Sequence, residues 1–132
     1  MNRVILAFIL FITIQSAYAL ELECPKSIKT NQSLSNPVSG WSEAIEENTH
    51  NLKSKHLSWG HPSGRAFLRP EVKSDGTNSI STWVFKNSSD NYYSCFYHNT
   101  SVVLTKQLPE GLKKCTARFN KHKHIKGNIY CE

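Results

Sequence analysis

The stretch Tyr92-Tyr93-Ser94-Cys95-Phe96-Tyr97-His98 decides the fold class. Four aromatic rings and a cysteine in seven residues, with no glycine or proline, read as an extended strand. Side chains on a strand alternate between faces, so Tyr93, Cys95 and Tyr97 share one side, and Tyr92 and Phe96 share the other. The same period continues outward. Asn87 to Asn91 is a polar turn, and before it Thr82 to Lys86 sets Trp83 and Phe85 on one side. Asn99-Thr100 turns the chain into Ser101 to Leu108, where Val102, Leu104 and Leu108 are expected to share a face. Pro109-Glu110-Gly111 interrupts, after which Cys115, Ala117 and Phe119 point one way, and Ile125, Gly127, Ile129 and Cys131 do the same near the end.

Upstream the signals are sparser. Leu20, Leu22 and Cys24 alternate with glutamates, and Thr30 to Gly40 is an Asn/Ser/Pro-rich loop. Trp41 to Asn48 reads as a short helix capped by Ser42, with Glu43, Glu46 and Glu47 in its first turns, although Trp41, Glu43 and Ile45 also alternate. Lys55 to Trp59 is a strand ended by Gly60-His61-Pro62, and Glu71 to Asn78 is a loop around Ser74-Asp75-Gly76. The pattern predicts a mainly β domain: a small antiparallel sheet forming a half-open barrel or sandwich, with little helix.

Cys24, Cys95, Cys115 and Cys131 each fall on the apolar side of their own segment. Four cysteines without a C-x-x-C pair read as two disulfides rather than a zinc site. Three connectivities exist and spacing alone does not choose. The preferred pairing is Cys24–Cys131 with Cys95–Cys115, the end cysteines then fastening the first and last strands.

The N-terminus explains why disulfides are expected. Arg3, the apolar run from Val4 to Ile14, and Ser16-Ala17-Tyr18-Ala19 have the form of a secretory signal peptide. The apolar run is about a dozen residues, short of the roughly twenty a membrane span needs. Residues 1–19 are therefore expected to be removed, leaving 20–132 as one disulfide-stapled domain in the periplasm or outside the cell, with no transmembrane segment.

The chain carries sixteen Lys and Arg against ten Asp and Glu. Much of the excess lies between Lys106 and Lys126, where Lys106, Lys113, Lys114, Arg118, Lys121, Lys123 and Lys126 face Glu110 alone. A basic face suits an acidic protein or an anionic envelope component, while an edge strand guarded by lysines gives the same pattern. Nucleic acid is not expected, because an exported protein seldom meets it.

Catalytic and cofactor motifs are not found. There is no G-x-S-x-G, H-E-x-x-H or phosphate loop, Asp75 and Asp90 sit in turns, and cysteines held in disulfides are not nucleophiles. His122 and His124 share a strand face and, with His61 or His98, offer imidazoles to a metal. The interleaved lysines repel a cation, so neither a metal nor any cofactor is expected. Tyr92, Phe96 and Tyr130 lie opposite the cysteines and are candidates for a recognition patch. Tyr92 and Phe96, with Arg118, Lys121, His122, Lys123, His124 and Lys126, form the possible binding surface.

Several short motifs resemble a family of small exported proteins of Gram-negative bacteria, mostly uncharacterised. They are Cys24-Pro25, Gly40-Trp41, Leu57-Ser58-Trp59-Gly60-His61-Pro62, Leu68-Arg69-Pro70, Trp83, Cys95-Phe96-Tyr97 before Thr100, Leu108-Pro109 before Cys115, and Cys131. The resemblance implies a periplasmic, single, disulfide-bearing domain, and implies no activity. The tract Tyr92 to Tyr97 is also loosely similar to periplasmic inhibitors of lysozyme. The expected function is a non-enzymatic binding module recognising another protein, as an envelope accessory, an inhibitor, or an immunity protein against a toxin delivered to the periplasm. The alternative is an envelope ligand-binding protein or enzyme acting on peptidoglycan, lipid or metal. Replacing Lys121, Lys123 and Lys126 by glutamate is expected to weaken binding to the natural partner in low salt while leaving the circular dichroism spectrum unchanged. Unchanged affinity would remove the basic segment from the interface.

Overall fold

The segment Asn91–Tyr97 forms a strand whose inward residues Tyr93, Cys95 and Tyr97 are buried, while Tyr92 and Phe96 on the opposite face are half-buried. The computed structural model describes residues 19–74, 76–87, 89–120 and 128–132. In chain order its elements are β1 (Leu20–Leu22), β2 (Ser27–Asn31), β3 (Glu47–Trp59), a 3-10 turn (Pro62–Gly64), β4 (Glu71–Ser74), β5 (Asn78–Val84), β6 (Asn91–Tyr97), β7 (Val103–Gln107), β8 (Lys114–Asn120) and β9 (Ile129–Cys131).

Two antiparallel sheets result. One has the order β1-β9-β8-β5-β4 and the other β2-β3-β6-β7. The mainly β, antiparallel class expected from the sequence is the one observed, and one sheet curls like a half-barrel. Inward faces of both sheets meet in a core of Leu22, Leu57, Trp83, Phe85, Tyr93, Tyr97, Leu108, Ala117, Ile129 and the four cysteines. Burying such side chains, at about 25 cal/mol per Å² of apolar surface, supplies the main driving force for folding.

All four cysteines are buried, as their apolar faces imply, but they pair otherwise than expected. Cys24 bonds Cys95 and Cys115 bonds Cys131. The ends of the domain do meet, yet main-chain hydrogen bonds join them: β1 lies antiparallel to β9 with Leu20 opposite Cys131. That frees Cys131 to bond Cys115, its direct cross-strand neighbour on β8 at a Cα separation of 4.0 Å. Cys24 follows β1 and crosses to the other sheet, where it meets the inward side of β6. The Tyr97 hydroxyl donates to the Pro25 carbonyl at 3.0 Å, and the Tyr93 hydroxyl, 3.1 Å from Cys24 Sγ, donates to the Leu22 carbonyl at 3.5 Å. Burial, with Tyr97 and Glu23 adding to it, pushes the Tyr93 phenol up to about 12, so it remains a donor at neutral pH.

Other local expectations are corrected. Residues 42–46 form no helix, and β3 begins at Glu47. Trp41 and Ile45 are 80% and 58% exposed, so an isolated helical turn there has no apolar surface to pack on. The strand seen at Lys55–Trp59 is the second half of β3, and a register shift between Leu52 and Ser54 breaks its alternation. Glu71–Ser74 is a strand rather than a loop, but every residue in it is exposed, so no hydrophobic period marks it. Leu108 is buried, whereas Val102 and Leu104 are exposed because β7 is a sheet edge.

The Cys24–Cys95 bond closes 71 residues and the Cys115–Cys131 bond closes 16. Chain-entropy scaling gives about 4 kcal/mol for the first and about 3 kcal/mol for the second. Urea unfolding of the Cys24→Ser/Cys95→Ser and Cys115→Ser/Cys131→Ser variants is expected to show the larger loss in the former. Equal losses would show that native packing, not loop closure, governs the difference.

Candidate functional site

The outward face of the β2-β3-β6-β7 sheet is built in cross-strand rows. Ser58, Tyr92 and Gln107 form one row, His56, Ser94 and Thr105 the next, and Ser54, Phe96 and Val103 the third. Small hydroxyl residues alternate with rings, leaving a trough between them. Ser94 is fully buried and its Oγ lies 3.1 Å from Thr105 Oγ1. Among the described residues no buried side-chain nitrogen or oxygen lacks a hydrogen-bond partner.

A tight excursion after β3 supplies the rest. Gly60 adopts φ 74°, a backbone region favouring glycine, and its N–H donates to the Asp90 carbonyl at 2.7 Å. His61 caps the Pro62–Gly64 turn, its Nδ1 accepting from the Ser63 N–H at 3.3 Å, and Arg65 leaves the turn at φ 56°. The chain then returns along β3. Trp59 N–H donates to the Ala66 carbonyl at 3.1 Å, Leu68 N–H to the Leu57 carbonyl at 2.8 Å, and Ser58 stands opposite Phe67.

This return places Phe67 over the sheet. Its ring centroid lies 5.1 Å from His56 and 5.8 Å from Phe96, and His56 meets Phe96 edge-on at 5.1 Å. His61 packs edge-on against Tyr92 at 5.6 Å. The result is a groove of about 450 Å³ walled by Phe67, Phe96 and Val103, with Ser101 and Thr105 on one side and His61 and Arg65 on the other. Apolar walls with a few fixed polar groups are the usual composition of a recognition site.

The candidates from the sequence divide three ways. Tyr92 and Phe96 lie on the outward face, as their parity predicts, and Phe96 lines the groove. Arg118 is on β8 of the other sheet, beside Ile80 and Tyr130, and does not join them. Lys121, His122, Lys123, His124 and Lys126 lie outside the described residues. Of the histidines considered for metal, His61 bonds within its own turn, and His98 gives its carbonyl to the buried His50 Nδ1 at 2.9 Å. Among the described residues no three His, Cys, Asp or Glu side chains come together as a metal site.

His56, Phe67 and Arg65 complete the site without having been singled out. His56 lies on the face of Lys55–Trp59 opposite Leu57, but nothing in that short stretch marks the face as a site. Phe67 and Arg65 follow Gly60-His61-Pro62, which signals a chain reversal but not the direction of return.

Residues 46–132 match the family model described as Type VI secretion system Tli immunity protein. The match runs from the start of β3 to the C-terminus and contains every residue of the groove, while β1, β2 and Cys24 precede it. No curated protein and no solved structure matches the chain.

Burial between Phe67 and Phe96 lowers the His56 pKa below the ordinary imidazole value, favouring the neutral ring in the fold. The unfolded chain then binds more protons, so the stability His56 contributes is present above the ordinary imidazole pKa and is lost as pH falls through the folded value. Denaturation across about pH 7 to about pH 5 is expected to show falling stability. The His56→Gln variant should have a shallower slope; an identical slope would place the titration elsewhere.

Proposed function

The chain belongs to the family of type VI secretion system Tli immunity proteins, and from that premise we propose that it works in the periplasm, neutralising a delivered effector by direct, non-catalytic binding. The match across β3 to β9 carries this reading. An immunity protein has a protein partner, its effector, which favours the recognition module over a ligand-binding or enzymatic envelope protein.

The structure supports such a role in two respects. Both disulfides fit an oxidising compartment. The outward groove is formed by residues already held in hydrogen-bonded strands and a capped turn, so little side-chain and loop entropy is lost on docking. Residues 1–19 are assigned as the export signal, and the Lys121–Lys126 segment as a second, electrostatic contributor to the interface.

The test is protection of a sensitive bacterial host that expresses, in its periplasm, the type VI effectors of the source genome one at a time. The full chain is expected to restore growth, and a version lacking residues 1–19 is expected not to. Protection by the leaderless version would overturn periplasmic action. Failure of the exported chain to protect, at verified expression, would overturn the immunity reading.

A further inference from the structure

A second groove adjoins the first. It has a volume of about 460 Å³, and Phe67 forms a wall of both. Trp59 and Val84 line it, although they are 53% and 63% exposed. Trp59 has the inward parity of Leu57, but it is the last residue of β3 and is half exposed. It lines the groove, where Arg69 and Lys86 provide two exposed cations and Asn87 an exposed amide. The walls come from both sheets, since Lys86 and Asn87 follow β5 while Arg69 follows the return strand.

Charge distinguishes the surface. Arg65 borders the first groove, Arg69 and Lys86 the second, and neither lining contains an aspartate or glutamate. The ion pairs among the described residues lie elsewhere, joining Lys29 to Glu47, Lys73 to Glu71 and Lys114 to Glu132. The neighbouring acid is Asp90, whose carboxylate approaches Gly60 behind the ridge. Three cations that pair with no carboxylate among the described residues thus flank Trp59 and Phe67. Tryptophan and arginine are the residue types that dominate binding energy at protein interfaces, and an exposed apolar surface rimmed by charge marks such an interface.

We infer that the two grooves form one docking track for a single acidic segment of the effector, with carboxylates meeting Arg65 at one end and Arg69 and Lys86 at the other, and an apolar side chain seated between Trp59 and Phe67. This deepens the immunity reading and rests on it. The cations supply register and accelerate encounter, while the rings exclude water from the centre.

The experiment measures affinity of the effector against which the chain protects in that growth test for the folded, oxidised chain, by calorimetry at two salt concentrations. Arg69→Glu/Lys86→Glu is expected to weaken binding by at least about tenfold and to flatten its salt dependence, and Trp59→Ala to weaken it similarly. Lys106→Glu/Lys113→Glu, an equal charge change on exposed residues outside both grooves, is expected to stay within about threefold of wild type. Thermal unfolding confirms that each variant is folded. Wild-type affinity in both groove variants, or an equal loss in the control pair, would overturn the track. So would retained toxin binding combined with loss of sedimentation on phosphatidylglycerol vesicles, which would assign the cations to the membrane. A wild-type chain that binds no toxin removes the immunity reading itself, an outcome separate from wild-type binding that the groove variants leave unchanged.

Discussion

The structure depends on the insertion of β6 between β3 and β7 with its alternation intact. Leu57 and Tyr93 face each other inward, and one residue along, Ser58 and Tyr92 face each other outward. A one-residue slip would bring Tyr92 and Phe96 into the core and expel Tyr93, Cys95 and Tyr97. Cys95 cannot make that exchange while bonded to Cys24. The disulfide therefore does more than shorten the unfolded chain: it selects the register, and the register decides which rings reach solvent.

The same bond joins two parts of the chain that the family relationship separates. Cys24 precedes the matched residues and Cys95 lies within them. Around it, the Tyr93 and Tyr97 hydroxyls donate to the carbonyls of Leu22, at the end of β1, and Pro25, in the crossing segment. The N-terminal segment is thus fastened to the inward face of β6, leaving its outward face open. Core and candidate site use opposite sides of one strand, so the rigidity of one is conferred on the other.

What was legible in the sequence follows from where burial is one-sided. Around β6, β5 and β8 each strand has one buried and one wetter face, and the period of two shows directly. It fails on β4, exposed on both faces, and on β3, where the shift at Leu52–Ser54 resets the count. The cysteine pairing is not legible in the sequence, because the chain ends meet through main-chain hydrogen bonds between β1 and β9 rather than through sulfur. The candidate site was half legible. Tyr92 and Phe96 follow from parity, but Phe67, Arg65 and Arg69 depend on a return path set by Gly60, the Pro62–Gly64 turn and a bridge to Ser58, and none of these imposes a period.

That return path also explains how a small β domain presents a concave surface. A bare sheet face is nearly flat and offers shallow contact. Here the segment from His61 to Leu68 folds back on the sheet as a ridge, and Phe67 divides the space beside it into two grooves. Main-chain bonds from Trp59 to Ala66 and from Leu57 to Leu68 hold the ridge at both shoulders. The rings need no helix or long loop to position them, and the cations sit at either side of the ridge instead of spreading over the surface. The excess of basic residues gives general attraction to an acidic partner; on the proposed track, Arg65, Arg69 and Lys86 beside Trp59 and Phe67 would convert that attraction into selectivity, because a partner must offer carboxylates at matching positions and an apolar group between them.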